Sequence, residues 1–260
     1  MRTKSLHSIL PAFAAALALL AAPALHAQDA GRAQDGRRAG GPSVSTTYIA
    51  DEDMPDATVY LPAPPGPGDP LFAGDLAYYE WGKGIRATER GARAHDDARS
   101  SLNYLAEIME EAVGTRISNE STPNLYRLLS KSMTTANNAT RKAKNHYKRV
   151  RPYVQFSEPT GVPEEEAGSR NSASYPSGHT TRGWTVALIL AELLPDRSED
   201  ILKVGYDYGE SRIIVGYHYQ SDVQAARAAA SAAVAVLHSD KDFQKDLKKA
   251  KKELSRLGLR

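Results

Sequence analysis

The chain contains no cysteine, which excludes thiolate nucleophiles, cysteine-bound metals and disulfides. Covalent chemistry, if there is any, must run through another residue type. With 260 residues the chain is long enough for one sizeable domain held by its core alone, and short for two large ones. Net charge is nearly absent as well. The 33 basic and 31 acidic side chains leave a formal +2, and Arg2 and Lys4 lie in a segment read below as a cleaved leader. Without them the two signs are equal, which argues against nucleic acid as the main partner. Beyond residue 22 no apolar run is long enough to span a bilayer. Strand signals are few, and from Leu71 onward the apolar spacing is helical.

What is present begins with a basic start and an apolar stretch from Ile9 to Ala22, followed by small residues up to Ala27. This pattern reads as a signal peptide over residues 1–27 and predicts export to the periplasm. Residues 28–58 are expected to form a flexible linker, because Gln28 to Thr47 has almost no large apolar residue. The globular domain is then 59–260. Its first stretch, Leu61 to Pro70 (LPAPPGPGDP), should be extended and lie across the surface, since proline fixes φ and removes donors.

The remainder reads as an all-α domain, a helical bundle with a buried central helix. Asp75 opens a helix expected to reach about Arg99, and a second covers Ser101 to Val113. A third starts at Pro123 and is expected to run unbroken until just before Pro152. His179 to Leu194 is apolar almost all round, so it should be the central helix. Glu199 to about Val215 is amphipathic, and Asp222 to Leu237 is alanine-rich and should pack closely. The tail from Ser239 to Leu257 is a Lys-rich surface helix.

Three clusters place polar groups on helices that ought to be buried. Lys144 and Arg151, in KNHYKRVRP, are seven residues apart and would share a helix face. By itself this also reads as a solvated basic face. Tyr175-Pro176-Ser177-Gly178-His179-Thr180 opens the most apolar segment of the mature chain. Its serine and glycine provide a cap and let backbone N–H groups approach an anion, although an ordinary helix start looks the same. The third cluster is Ser211-Arg212 with His218 and Asp222. A carboxylate four residues from a histidine can fix its tautomer and leave the other ring nitrogen as nucleophile or ligand. A metal is the competing reading, but Lys144, Arg151 and Arg212 would crowd it with positive charge. The same three cations match a phosphoryl group. His146 reads as structural, His95 and His238 show no partner, and Glu164 to Glu166 form an acidic loop tip that could brush a substrate.

Taken together and in order, Lys-x6-Arg-Pro, Pro-Ser-Gly-His and Ser-Arg-x5-His-x3-Asp resemble the signature of the type 2 phosphatidic acid phosphatase superfamily. That superfamily is shared by acid phosphatases, lipid phosphatases and vanadium haloperoxidases. SYPSGHT, ILKVGYDYGESRIIVGYHYQSDV, SAAVAVLHSD, LPAPP and ATERG further resemble the class A bacterial nonspecific acid phosphatases, over roughly Tyr60 to Leu254. Ala173 departs from that class, which usually has glycine there, and alanine would disfavour a left-handed backbone.

The resemblance implies metal-independent phosphomonoester hydrolysis without a cofactor, through a phosphohistidine. His218 would be the nucleophile, Asp222 its orienting partner and His179 the general acid and base. Lys144, Arg151, Ser177, Gly178 and Arg212 would bind the phosphate. A general-acid histidine of ordinary pKa predicts an acid optimum. Phosphotransfer to alcohols and a homodimer are further expectations. The alternatives are a lipid phosphatase, a vanadate-dependent haloperoxidase, and a phosphate- or nucleic-acid-binding protein that uses the run Arg141 to Arg151.

Overall fold

The computed structural model describes residues 46–260. The leader and residues 28–45 of the expected linker lie outside the described residues. Among the described residues there are twelve α-helices and no strand, which is the all-α architecture the sequence predicts. In chain order these are α1 (Ala57–Tyr60), α2 (Phe72–Gly84), α3 (Glu89–Asp96), α4 (Leu102–Val113), α5 (Pro123–Asn138) and α6 (Arg141–Tyr147), followed by α7 (Pro152–Gln155), α8 (Glu166–Ser169), α9 (Gly178–Leu193), α10 (Ser198–Ile214), α11 (Gln220–Leu237) and α12 (Lys241–Arg256). None of them is long and apolar enough to cross a membrane.

The centre is α9, packed against α10, α11, α5 and α4. Val186, Ala187, Ile189 and Leu190 on it are fully buried. Each large aliphatic side chain removed from water there contributes about 1.5–3 kcal/mol before chain entropy is subtracted. Glycines allow α9 and α10 to approach each other. A Cβ on Gly183 would stand 2.3 Å from Tyr208, one on Gly205 2.5 Å from Ala187, and one on Gly209 2.8 Å from Thr180. The contact therefore carries Tyr208 and Arg212 of α10 to the start of α9.

Three expectations are corrected. The helix expected from Asp75 to Arg99 is two helices. α2 ends after Gly84, and Thr88 starts α3 by accepting the Gly91 N–H on its hydroxyl. The helix expected from Pro123 to the Pro152 boundary breaks at Ala139–Thr140, after the weak helix formers Asn137 and Asn138, where the Thr140 hydroxyl bonds back to the Asn137 carbonyl. Residues 48–58, expected in the linker, are packed onto the domain. The Tyr48 N–H donates to Thr135 Oγ1 at 3.0 Å, its ring meets Phe243 edge-on, and Met54 is buried beside Ala136, Ala139 and Ala233. Tyr48 and Met54 supply apolar surface that a freely solvated linker would lack. The proline segment does lie across the domain, held through its carbonyls. Tyr175 Oη donates to the Pro62 carbonyl and Arg149 to that of Pro65.

The Gly183 contact makes a direct test. Alanine would gain about 1 kcal/mol of helix propensity over glycine, but it would drive a methyl into the Tyr208 ring, and overpacking of this kind costs about 1–3 kcal/mol. Gly183→Ala is therefore expected to be less stable in urea unfolding than the parent chain. Equal or greater stability would show that α9 and α10 have room to separate.

Candidate active site

Several segments converge on a cavity of about 550 Å³. Lys144 comes from α6 and Arg151 from the stretch after it. Gly178, His179 and Arg182 come from the first turns of α9, Arg212 from the last turn of α10, and His218 from the turn that follows. Lys144 and Arg151 reach the cavity without sharing a helix face. α6 stops at Tyr147, Lys148 is left-handed (φ 46°), and Arg151 is extended before Pro152 starts α7. The proline rules out a helical Arg151, since it pushes the preceding residue into the extended region.

His218 is almost fully buried. Its Nδ1 lies 3.4 Å from Asp222 Oδ2 and 3.3 Å from Ser174 Oγ, and Arg151 Nη1 lies 3.1 Å from its Nε2. An arginine can only donate, so this pattern puts the proton on Nδ1 and the lone pair on Nε2, facing the cavity. Burial and then Arg151 push the His218 pKa down to about 3, against the pull of Asp222. Asp222 is itself fully buried at the third position of α11. It accepts from Ser174 Oγ at 2.5 Å, from the Tyr219 N–H at 2.9 Å and from Arg149 Nη1 at 2.6 Å. Burial opposes its charge, but the His218 hydrogen bond and Arg149 hold its carboxyl well below the usual range. Arg149 in turn bonds Asp75 at 2.7 Å. The nucleic-acid reading of this basic run loses Arg149, Arg151 and Lys144, all of which point inward.

The cations of the cavity repel one another. Lys144 donates to the Ala173 carbonyl at 2.8 Å, and burial followed by Arg151 lowers its pKa to about 7. Burial and then Arg212 bring Arg151 down to about 10, still charged at physiological pH. Arg212 is buried with Nε and Nη1 unpartnered, and its nearest carboxylate is Glu165, 3.7 Å from Nη2. A Cβ on Gly178 would come within 3.0 Å of Asn137 Oδ1, so glycine keeps the helix mouth open. Ser177 is fully buried and does not line the cavity. Its hydroxyl caps α9 by accepting the Thr180 N–H. Ala173 is not left-handed, so its departure from glycine introduces no strain.

His179 stacks on Tyr208 with ring centroids 4.3 Å apart, and its Nε2 is buried without a partner. Burial and then Arg212 hold its pKa well below the ordinary histidine value. This corrects the expectation of an ordinary titration for this residue. The acidic loop tip is divided among three partners. Glu164 meets His95, Glu165 faces Arg212, and Glu166 accepts the Thr160 N–H. Sequence reasoning passed over Ser174, Arg149, Tyr208 and Arg182. Only Arg182 carried a signal, as a lone cation in the apolar run after His179. Among the described residues no group of three or more histidines, aspartates and glutamates is placed to hold a metal.

The chain is similar to known acid phosphatases. The PAP2 superfamily profile matches residues 126–245, from within α5 through α12's first turn. A non-specific acid phosphatase of Providencia stuartii is 43% identical over 211 residues, covering 81% of this chain and 85% of its own. One of Salmonella typhimurium is 38% identical over 80% of this chain and 84% of its own. An acid phosphatase of Zymomonas mobilis is 39% identical over 77% and 76%. Identity at this level over most of both chains makes the chain a member of the non-specific acid phosphatase family within the PAP2 superfamily.

Proposed function

We propose that the protein hydrolyses phosphomonoesters in acid solution through a phosphohistidine formed on His218, without a metal. The observation that carries this reading is the His218 ring. Its protonated nitrogen faces Asp222, and its lone pair faces a cavity walled by Lys144, Arg151 and Arg212. Phosphoryl transfer needs position and charge neutralisation more than covalent help from the protein. In the proposed first step Arg151 shifts its hydrogen bond from Nε2 to a phosphate oxygen, the freed Nε2 lone pair attacks phosphorus in line, the bond to the ester oxygen breaks, and His179 gives that oxygen a proton. In the second, water attacks the phosphohistidine, His179 takes the water proton, and the N–P bond breaks to release phosphate. Asp222 holds the ring and balances the imidazolium charge. Gly178 leaves its amide open to a phosphate oxygen, and Ser177 acts through the α9 cap or by turning its hydroxyl proton outward. A wall of cations also repels a divalent metal.

The pH behaviour follows from the shifted groups. A His218 pKa near 3 keeps the nucleophile neutral through mildly acidic solution, and Lys144 gains its charge as pH falls below about 7. His179 is held neutral in the empty cavity mainly by burial and by Arg212. A bound phosphate dianion offsets that field and raises its proton affinity, so the substrate itself loads the general acid. Residues 1–27 are proposed to direct export to the periplasm. The exposed apolar residues Leu71, Tyr78 and Trp81 support a homodimer. Phosphotransfer to an alcohol would use the same intermediate.

Five measurements test this. Hydrolysis of p-nitrophenyl phosphate in excess EDTA is expected to persist in the parent chain and to fall at least about a thousandfold in His218→Ala. The alkaline limb of kcat should lie at higher pH than that of kcat/KM, because kcat reports the loaded site. Activity lost to chelator, or coincident limbs, would contradict the mechanism. His179→Ala should reduce kcat/KM about 10²–10⁴-fold for an alkyl phosphate and much less for p-nitrophenyl phosphate, whose leaving group needs little protonation. Equal losses would remove His179 from the role of acid. Sequencing the N-terminus of periplasmic protein and sedimenting it at equilibrium check export and dimer. An intact leader or a monomer would overturn them.

A further inference from the structure

The phosphate reading uses three cations of the cavity and leaves a fourth, Arg182, without a task. Arg182 lies one turn beyond His179 on α9 and lines the same cavity. Residues three apart on a helix have Cβ atoms about 5–6 Å apart, so its side chain flanks the place where the leaving oxygen would take its proton. Of the other arginines around the site, Arg151 bonds carbonyls, Ser172 and His218 rather than an acid and is already used on the phosphate, and three more are matched by acids. Arg149 lies between Asp75 and Asp222, Arg212 faces Glu165, and Arg141 at the rim bonds Asp51 at 2.7 Å. Arg182 is half-buried, and its one hydrogen bond among the described residues is to the hydroxyl of Ser100, at 3.2 Å. It has no acidic partner there.

That charge works against the chemistry proposed for the cavity. Arg182 is among the groups that disfavour the protonated forms of His179 and Lys144, behind burial and nearer cations in both cases. A cation that opposes both the acid and a phosphate ligand is compensated when an anion lies against it. The transferred phosphoryl group is already claimed by Lys144, Arg151 and Arg212, and the cavity is much larger than one such group. Asn137 and Ser100 line it as well, and the Ser100 hydroxyl lies against Arg182.

The geometry points to a second anion subsite at Arg182, which selects phosphomonoesters whose leaving group carries a carboxylate or second phosphoryl group near the ester oxygen. The guanidinium would take either group in a paired hydrogen-bond geometry. With that anion in place the field on His179 is relieved, so such substrates gain in protonation of the leaving oxygen as well as in binding. The inference rests on the phosphate reading of the three other cations, and the test separates the two.

The test compares glycerol 3-phosphate, 3-phosphoglycerate and 1,3-propanediol bisphosphate as substrates for the parent chain, Arg182→Gln and Arg182→Lys. Binding of methylphosphonate and phosphonoacetate is measured alongside by calorimetry, which needs no turnover. The kcat/KM advantage of each doubly anionic ester over glycerol 3-phosphate is expected to fall about tenfold or more in Arg182→Gln, as loss of a charge-assisted pair predicts. The affinity advantage of phosphonoacetate over methylphosphonate should fall with it, and Arg182→Lys should keep part of both. A loss confined to 3-phosphoglycerate, or to the bisphosphate, would assign the subsite to that anion. Equal losses on all three esters, or an unchanged phosphonoacetate advantage, would overturn the subsite while leaving the phosphate reading intact. Failure of methylphosphonate to bind the parent chain in competition with phosphate would overturn the phosphate reading, and the subsite with it.

Discussion

A single buried guanidinium holds the site to the fold. Arg149 bonds Asp75 of α2, Asp222 and Ser221 of α11, and the Pro65 carbonyl of the proline segment, all at 2.6–2.7 Å. Asp75 returns to the Ser221 N–H and hydroxyl. Removing one member of such a buried set typically costs about 3–5 kcal/mol, because the partner charges are left unpaired. The consequence for chemistry is that Asp222 cannot drift, and neither can the His218 ring that depends on it. Lys148 adopts a left-handed conformation one residue earlier, and it is this turn that swings Arg149 inward.

The second constraint is the opposite one, a cavity where like charges are held together. Lys144 and Arg151 are lowered in proton affinity by burial first and by a neighbouring cation second, and Arg212 by burial against the pull of Glu165. Packing among apolar helices and carbonyls such as those of Ala173, Ser169 and Tyr217 keeps them in place. Arg212, with two buried nitrogens unpartnered, is the clearest sign of a site arranged for a charge that arrives from outside. Preorganised dipoles and charges of this kind need no reorganisation when the anion enters. Burial and then the same cations hold both histidines below the ordinary proton affinity of the residue.

The α9–α10 contact links these features to the core. Gly183 admits the Tyr208 ring, which stacks on His179. Gly209 admits Thr180, whose N–H is capped by Ser177. The glycines of these two helices therefore set how near His179 and the Arg212 cation come to each other.

Much of this was legible in the sequence. The apolar girth of α9 marked it as central, the spacing of the capped Pro-Ser-Gly-His start marked its mouth, and the four-residue gap between His218 and Asp222 marked a pair. All three are local, because periodicity and caps operate within a few residues. The family signature also depends only on order and spacing. Tertiary structure decided what depends on distant partners. It turned Arg149 from a surface cation into the anchor of Asp222, and spent Ser177 on a helix cap. It also brought Ser174 to the histidine, and drew Tyr48 and Met54 out of an expected linker into the core. The His179 pKa was beyond the sequence for the same reason, since it is set by burial and by Arg212, 33 positions away in the chain. Residue types and their local spacing thus determined the kind of chemistry available. The protonation states at the site, and which cations lack an acid, were decided by the packing, because Coulomb energies depend on separation in space and on the water excluded between the charges.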